Sequence, residues 1–270
     1  MFDTESDVLA WYERQPRALT PEFVGGFPWQ DVRAHALDPA FVPVLVYMRD
    51  VEAFTDIYYA ELRRTPTGKS PVIKRFMDRW HVEEFQHAEL LNRFMEEAGV
   101  PVSPRWLDEA RAAIPFNYTF ENRLYPLVTN LFGASFSAVH MTWGAINEMT
   151  TLQGYRRLWE LAKHPVLEKL LRAIAQEEAA HSKFYWNIAR IKLARSGFAQ
   201  RLARNVISKF WTPVGQGTKP KRETNYLIAT LFSGAGGVDF FDRNVGQKLE
   251  QLPGFDGVKA ITQRVARIAL

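Results

Sequence analysis

The chain contains two copies of the motif Glu-x-x-His. The first is EFQH, with Glu84 and His87, and the second is EAAH, with Glu178 and His181. Residues three apart are neighbours on the surface of an α-helix, so each motif places a carboxylate beside an imidazole. That pair of groups can bind a transition-metal ion. One copy occurs on many charged helices, and the metal hypothesis therefore depends on the presence of two copies.

Two further acidic residues lie in otherwise apolar segments. Glu52 lies within VYMRDVEAFTDIYY, and Glu148 lies within FSAVHMTWGAINEMTTL. Glu148 is the first charged residue after residues 124–147, which contain no Asp, Glu, Lys or Arg. An unpaired carboxylate in such an apolar environment is costly, and coordination to a cation would remove that cost.

The apolar spacing predicts an all-α fold. Long segments with helical periodicity cover about residues 39–62, 72–98, 127–163 and 164–197, and glycine and proline separate them. We expect these four helices to form a bundle over about residues 38–197. The remainder, about 198–270, contains the loop WTPVGQGTKPKRE and two further helical stretches, which we expect to cover the bundle within one domain.

The four acidic segments together resemble the ferritin-like di-iron and di-manganese carboxylate bundles. In that class one Glu comes from each of two helices and Glu-x-x-His from each of the other two. The resemblance predicts two iron ions, with manganese as an alternative. The predicted ligands are Glu52, Glu84, His87, Glu148, Glu178 and His181. Glu84 and Glu178 could bridge the metals, and the absence of cysteine excludes thiolate zinc sites and iron–sulfur clusters.

A histidine that binds a metal usually donates its other ring N–H to a nearby acceptor. Glu83 and Glu177 each directly precede a predicted ligand, and they are the candidates for this role. The alternative is that both face solvent.

Four segments are similar to the soluble acyl-acyl carrier protein desaturases. HVEEFQHAELLNRFMEEAG resembles their second core helix, VLVYMRDVEAFTDIYY their first, NEMTTLQGY their third and AQEEAAH their fourth, so the resemblance covers roughly residues 40–190. It implies Glu52 on the first metal and Glu148 on the second. It also implies O2-dependent oxidation of an acyl chain on acyl carrier protein, a ferredoxin-type electron donor and a homodimer.

Thr151 lies three residues after Glu148, where the desaturases and related oxygenases carry a threonine near the oxygen-binding face. The resemblance implies a role in oxygen activation or proton delivery, and the alternative is a hydroxyl bonded to its own helix. Ser182 departs from the plant-type pattern, which has an acid at this position. A di-iron hydroxylase, an N-oxygenase and an iron-handling protein without organic substrate therefore stay open. The expected substrate tunnel would be lined by Phe85, Met141, Trp143 and Met149.

The net charge is +4, but residues 179–222 contain no acidic residue. Arg190, Arg195 and Arg201 are the candidates for docking of an acidic acyl carrier protein. The alternative is an ordinary solvated face. No nucleic-acid-binding motif is recognisable, so we expect no nucleic-acid partner. The alternative from another class is a metal-free helical module that binds nucleic acid through this basic stretch.

The N-terminus lacks a basic segment followed by an apolar one, which predicts a cytoplasmic protein without a signal peptide. The uncharged residues 124–147 are long enough to span a bilayer. They also contain His140 and several Ser, Thr and Asn residues. We therefore expect a helix buried in the bundle.

Overall fold

The computed structural model describes residues 2–115 and 133–270. Within these ranges the regular structure is helical, which confirms the predicted all-α, ferritin-like bundle; one isolated bridge joins Gln216 and Lys219. The first helices are α1 (Glu5–Glu13), α2 (Pro21–Gly25), α3 (Val42–Ala53), α4 (Thr55–Leu62), α5 (Pro71–Glu97) and α6 (Trp106–Ala112). The later ones are α7 (Gly133–Ala162), α8 (Pro165–Ala194), α9 (Gly197–Phe210), α10 (Lys221–Leu231), α11 (Gly234–Phe241), α12 (Gln247–Glu250) and α13 (Ala260–Ala269).

Helices α3, α5, α7 and α8 form the bundle, with α3 packed along α5 and α7 along α8. The start of α5 follows from its sequence, because the Ser70 side chain accepts a hydrogen bond from the Ile73 amide and Pro71 occupies the first turn. Its end lies just before Gly99, whose φ of 79° suits a residue without a side chain. His164 caps α8 in the same way, with Pro165 at the first helical position.

The predicted helix boundaries agree with the structure to within a few residues except in two places. The first predicted helix is interrupted at Phe54, so that α3 and α4 are separate. The third predicted helix was expected from about residue 127, and residues 127–132 lie outside the described residues. No helix in the described ranges is both long and apolar enough to cross a membrane.

The segments outside the bundle pack on it. Helix α1 contacts α5 and α8, α9 contacts α7 and α8, and α10 contacts α3. The expectation of two helical stretches after residue 198 was wrong, because α9 to α13 and a π-helical turn, Asp242–Gly246, occupy this part of the chain. Helices α11, α12 and α13 have ten residues or fewer, which is shorter than the window in which helical periodicity is recognised. The division into one domain, the cytoplasmic location and the homodimer stay predictions.

The bundle core leaves no room for a side chain at Gly144 of α7. A Cβ atom built there would lie 2.3 Å from Cε1 of Tyr185 on α8. Tyr185 is buried and its ring lies edge-on to Phe76 and Trp80 of α5. Gly144 therefore sets how closely α7 and α8 approach beside the metal-binding segments.

We predict that Gly144→Ala lowers the free energy of unfolding by about 1–3 kcal/mol, since overpacked cores force backbone and rotamer shifts. Gly236→Ala is the matched control, because none of the described residues has an atom within 4 Å of a Cβ at this helical position, apart from its chain neighbours and the backbone of its own helix. The control should be neutral or raise stability by up to about 1 kcal/mol. Chemical denaturation of both variants measures the difference, and equal stability would contradict the packing argument.

Candidate metal centre

The four bundle helices bring all six predicted ligands to one buried place. Glu52 comes from α3, Glu84 and His87 from α5, Glu148 from α7, and Glu178 and His181 from α8. Each of these residues is at most 7% exposed. Residues of different helices that are 30 to 129 positions apart in the chain thus converge, because the helices carry them on inward-facing sides.

The six side chains form two overlapping groups. One group contains Glu52, Glu84, His87 and Glu178, and the other contains Glu84, Glu148, Glu178 and His181. Within each group the possible ligand atoms all lie within 4.8 Å of one another. Glu84 and Glu178 belong to both groups, which is the arrangement that two bridging carboxylates between two metal ions require.

Several polar atoms inside the cluster have no hydrogen-bond partner among the residues that the structure describes. They are Glu84 Oε1, both carboxylate oxygens of Glu178, and Nδ1 of both His87 and His181. His87 Nδ1 lies 3.0 Å from Glu178 Oε1, and His181 Nδ1 lies 2.9 Å from Glu84 Oε1. Buried polar atoms without partners are rare in proteins. A pair of cations bound among them would satisfy these atoms, so the donor set fits a di-metal site.

The opposite ring nitrogens of the two histidines point outward to carboxylates. His87 Nε2 lies 3.1 Å from Glu177 Oε2, and His181 Nε2 lies 2.8 Å from Glu83 Oε2. Glu83 and Glu177 are buried, so the solvent-facing alternative does not describe them. An imidazole that donates Nε2–H leaves the Nδ1 lone pair free, and Nδ1 is the atom directed into the cluster.

The carboxyl and imidazole groups of the cluster shift one another's pKa values. Burial raises the pKa of Glu84 to about 8, and the nearby Glu178 and Glu148 carboxylates add to this shift. Burial also raises the pKa values of Glu52 and Glu148 well above the ordinary range. Burial would raise the pKa of Glu178 too, but contacts with His181 and His87 lower it below the ordinary value. In the metal-free cluster the two imidazoles therefore favour the ionised form of Glu178, whereas burial favours the protonated form of the other three carboxyl groups.

Two supporting residues were missed in the sequence. The Tyr155 hydroxyl donates to Glu52 Oε1 at 2.5 Å, and the Trp80 ring N–H donates to Glu148 Oε1 at 3.1 Å. Tyr155 lies two helical turns after Glu148, and Trp80 lies one turn before Glu84. This spacing places them on the metal-facing sides of α7 and α5, and it is the signal that could have identified them.

Thr151 lines a narrow cleft beside Glu52. The cleft has a free volume of about 40 Å³. Its walls are Tyr47, Met48, Val51, Glu52, Thr150, Thr151, Gly154, Val214, Leu227, Ile228 and Phe232. Thr150 Oγ1 donates to the Ile146 carbonyl, whereas the Thr151 hydroxyl makes no hydrogen bond within the described residues. The backbone-bonded alternative therefore describes Thr150, its neighbour.

None of the four residues expected to line a tunnel borders this cleft. Instead, Val214, Leu227, Ile228 and Phe232 come from the C-terminal cover. Tyr47 connects the two parts, because its hydroxyl donates to the Val214 carbonyl at 2.7 Å. A tertiary contact across such a sequence distance leaves no local pattern that sequence reasoning could use.

The three arginines proposed for docking differ in their surroundings. Arg190 is half-buried and donates to the Phe2 carbonyl, whereas the Arg195 side chain is 62% exposed and lies near Glu5. Arg201 is exposed. Lys219, another base of this stretch, is engaged internally and lies 2.7 Å from Asp50. Docking of an acidic partner stays a prediction, for which Arg195 and Arg201 are the accessible groups.

The model of the rubrerythrin family matches residues 52–189, a range that contains all six residues of the cluster. The chain belongs to the rubrerythrin family, which is a ferritin-like family of di-iron carboxylate proteins. Iron binding by this bundle agrees with the geometry of the buried cluster. The family match supports this broader class of di-iron proteins, and it does not point specifically to the desaturases. A search of curated proteins found no match.

We predict that metal affinity rises with pH between about 6 and 8. In the metal-free chain Glu84 has a pKa of about 8 and His87 of about 9, so both hold protons at neutral pH. For His87 burial lowers the pKa, but contacts with Glu177 and Glu178 outweigh it. A bound metal must displace these protons, and each proton contributes up to about tenfold in affinity per pH unit. Anaerobic Mn2+ titrations with a pH indicator measure affinity and proton release together, and pH-independent binding would contradict this assignment.

Proposed function

We propose that the protein is an O2-dependent di-iron oxidoreductase that acts on an apolar organic substrate. The observation that carries the proposal is the contact between the buried cluster and the Thr151 cleft, since Glu52 belongs to both. An iron-handling protein needs access for ions, whereas this cleft is walled mainly by apolar side chains. Two reduced irons, when bound, would supply the capacity to activate O2.

The chain's own residues would hold the metals and control their surroundings. The imidazoles of His87 and His181 and the four carboxylates would form the coordination sphere. Tyr155 and Trp80 restrict the orientations of Glu52 and Glu148 through their hydrogen bonds. The aromatic and aliphatic core around α5, α7 and α8 would exclude water, which strengthens electrostatic interactions at the site.

Thr151 is the one hydroxyl of the cleft without a partner in the described part of the chain. Its position in the cleft that Glu52 also lines would suit proton delivery to a substrate bound there. Thr150 and Tyr47 also line the cleft, but their hydroxyls are engaged with Ile146 and with Val214 and Thr224. This difference supports Thr151 as the catalytic hydroxyl.

The finer proposal is desaturation of an acyl chain carried by acyl carrier protein, and it rests on the motif resemblance. Removal of two hydrogens from a CH2–CH2 unit by O2, with two external electrons and two protons, forms a double bond and two water molecules. A ferredoxin-type protein would supply the electrons. The free volume of about 40 Å³ accommodates only a few water molecules, so an acyl chain requires the walls of the cleft to move apart.

Hydroxylation or N-oxygenation of an apolar substrate is the second candidate. The small free volume of the cleft favours hydroxylation or N-oxygenation over desaturation of a long acyl chain. An iron-handling role without organic substrate is the remaining alternative. It predicts oxidation of many ferrous ions per chain, whereas the oxidoreductase proposal predicts a stoichiometric site of about two.

The test of the di-iron centre is the iron content after anaerobic loading. The wild-type chain should hold about two irons, and a Glu84→Ala, Glu178→Ala double variant should lose both because it removes the shared carboxylates. Glu89→Ala is the control, since Glu89 lies on α5 with its side chain exposed. Full occupancy in the double variant would refute the assignment of the ligands.

The test of the oxidoreductase role compares two neighbouring threonines. Thr151→Val should leave the iron content unchanged but alter the rate of O2 consumption by the reduced protein, or increase peroxide release, about tenfold or more. Thr150→Val removes the backbone-bonded hydroxyl and should have a smaller effect on both. Equal behaviour of Thr151→Val and the wild type would assign Thr151 to packing alone.

A further inference from the structure

The two outer carboxylates, Glu83 and Glu177, are held by a segment that the family match does not include. The match begins at residue 52, whereas residues 12–19 form the end of α1 and the turn that leads to α2. We call residues 12–19 the N-terminal clamp. It lies across α5 and α8 at the level of the two histidines.

The first contact of the clamp is made by Tyr12. Its hydroxyl donates to Glu83 Oε2 at 2.7 Å, and the same oxygen lies 2.8 Å from His181 Nε2. Tyr12 is 1% exposed, so this bond is shielded from water. Arg79 lies over the Tyr12 ring and donates to Glu83 Oε1 at 2.6 Å. The carboxylate that orients His181 is therefore fixed at both oxygens.

The second contact is made by Arg17 and the backbone that follows it. Arg17 Nε lies 2.9 Å from Glu83 Oε1 and donates to Glu177 Oε1 at 3.2 Å. The amides of Ala18 and Leu19 donate to the same oxygen of Glu177 at 2.9 and 3.1 Å. The other oxygen of Glu177 faces His87. One arginine thus links the carboxylates that orient the two histidines.

We propose that the N-terminal clamp orients the metal-binding imidazoles. Tyr12 and Arg17 are positioning residues, which act on His87 and His181 through Glu83 and Glu177. Glu83 and Glu177 can accept an Nε2–H bond in a fixed direction only while their remaining lone pairs are occupied. The clamp occupies them with a phenol, a guanidinium and two backbone amides. Each imidazole then keeps its Nδ1 atom directed into the cluster, where it can bind a metal once its proton is displaced.

The arrangement has a charge component as well as a geometric one. Two anionic carboxylates beneath the surface need cations or donors, because burial disfavours their ionised form. A cleft of about 200 Å³ reaches Glu83 and Glu177 from outside, and Tyr12, Gln15 and Pro16 form one of its walls. Without the clamp, water would compete for the oxygens that face the histidines.

The test measures metal affinity of the full-length chain by anaerobic Co2+ titration against a chelator, together with the visible Co2+ spectrum. Tyr12→Phe and Arg17→Met should each weaken binding by about tenfold or more, the range seen when groups that support metal ligands are removed. Both should also shift the Co2+ bands. Arg17→Lys keeps the positive charge but replaces the three nitrogens of the guanidinium with one. It should therefore recover part of the affinity that Arg17→Met loses.

Two variants provide matched controls. Tyr59→Phe removes a hydroxyl that donates to Asp78, and Arg75→Met removes an exposed partner of Glu13. Neither touches Glu83 or Glu177, so both should bind Co2+ like the wild type. If residues 12–19 only stabilised the fold, Tyr12→Phe would lower the melting temperature of the metal-free chain and leave affinity and spectrum unchanged.

The outcomes separate this inference from the proposed function. Wild-type affinity and spectrum in folded Tyr12→Phe would overturn the role of the clamp and leave the di-iron proposal intact. If Arg17→Met does not fold, Tyr12→Phe alone decides, since it changes no more than one hydroxyl. A wild-type chain that binds no Co2+ and no iron would overturn both.

Discussion

The structure depends on the burial of four carboxylates and two imidazoles in one small volume. Carboxylates in a dry interior repel one another and lose their hydration, and the two imidazoles cannot neutralise all of them. The raised pKa values of Glu52, Glu84 and Glu148 express this conflict in the metal-free chain. Two divalent cations bound at the cluster would resolve it. Long, closely packed helices are what hold these groups together against their repulsion.

The surrounding packing follows from this requirement. Gly144 permits the close approach of α7 and α8, and the rings of Phe76 and Phe184 stack with centroids 3.8 Å apart beside the cluster. An interior of this density restricts side-chain movement and water entry. Oxygen chemistry at a metal site needs both restrictions, because freely entering water diverts reactive species. The core therefore serves stability and the proposed reaction by the same contacts.

The segments outside the matched family region contact two different parts of the metal centre. The N-terminal clamp reaches the outer carboxylates behind the histidines, and the C-terminal cover borders the cleft beside Glu52 and Thr151. The bundle supplies the metal ligands, while these added segments contact the groups that orient ligands and border the cleft. Such a division would allow one family to keep its metal chemistry while its substrates and electron donors differ.

The sequence by itself determined the all-α class, the helices that bear the ligands and the six side chains that meet in the cluster. The reason is that helical periodicity and a three-residue spacing are local properties, and a carboxylate after a long uncharged stretch demands a partner. Even Glu83 and Glu177 followed from their positions beside the ligands. Tyr12, Arg17 and the C-terminal wall of the cleft did not, because the residues they contact lie 66 to 167 positions away in the chain with no shared period. Only the tertiary structure decided which distant side chains complete the site, since contacts between separate segments depend on packing that no local pattern encodes.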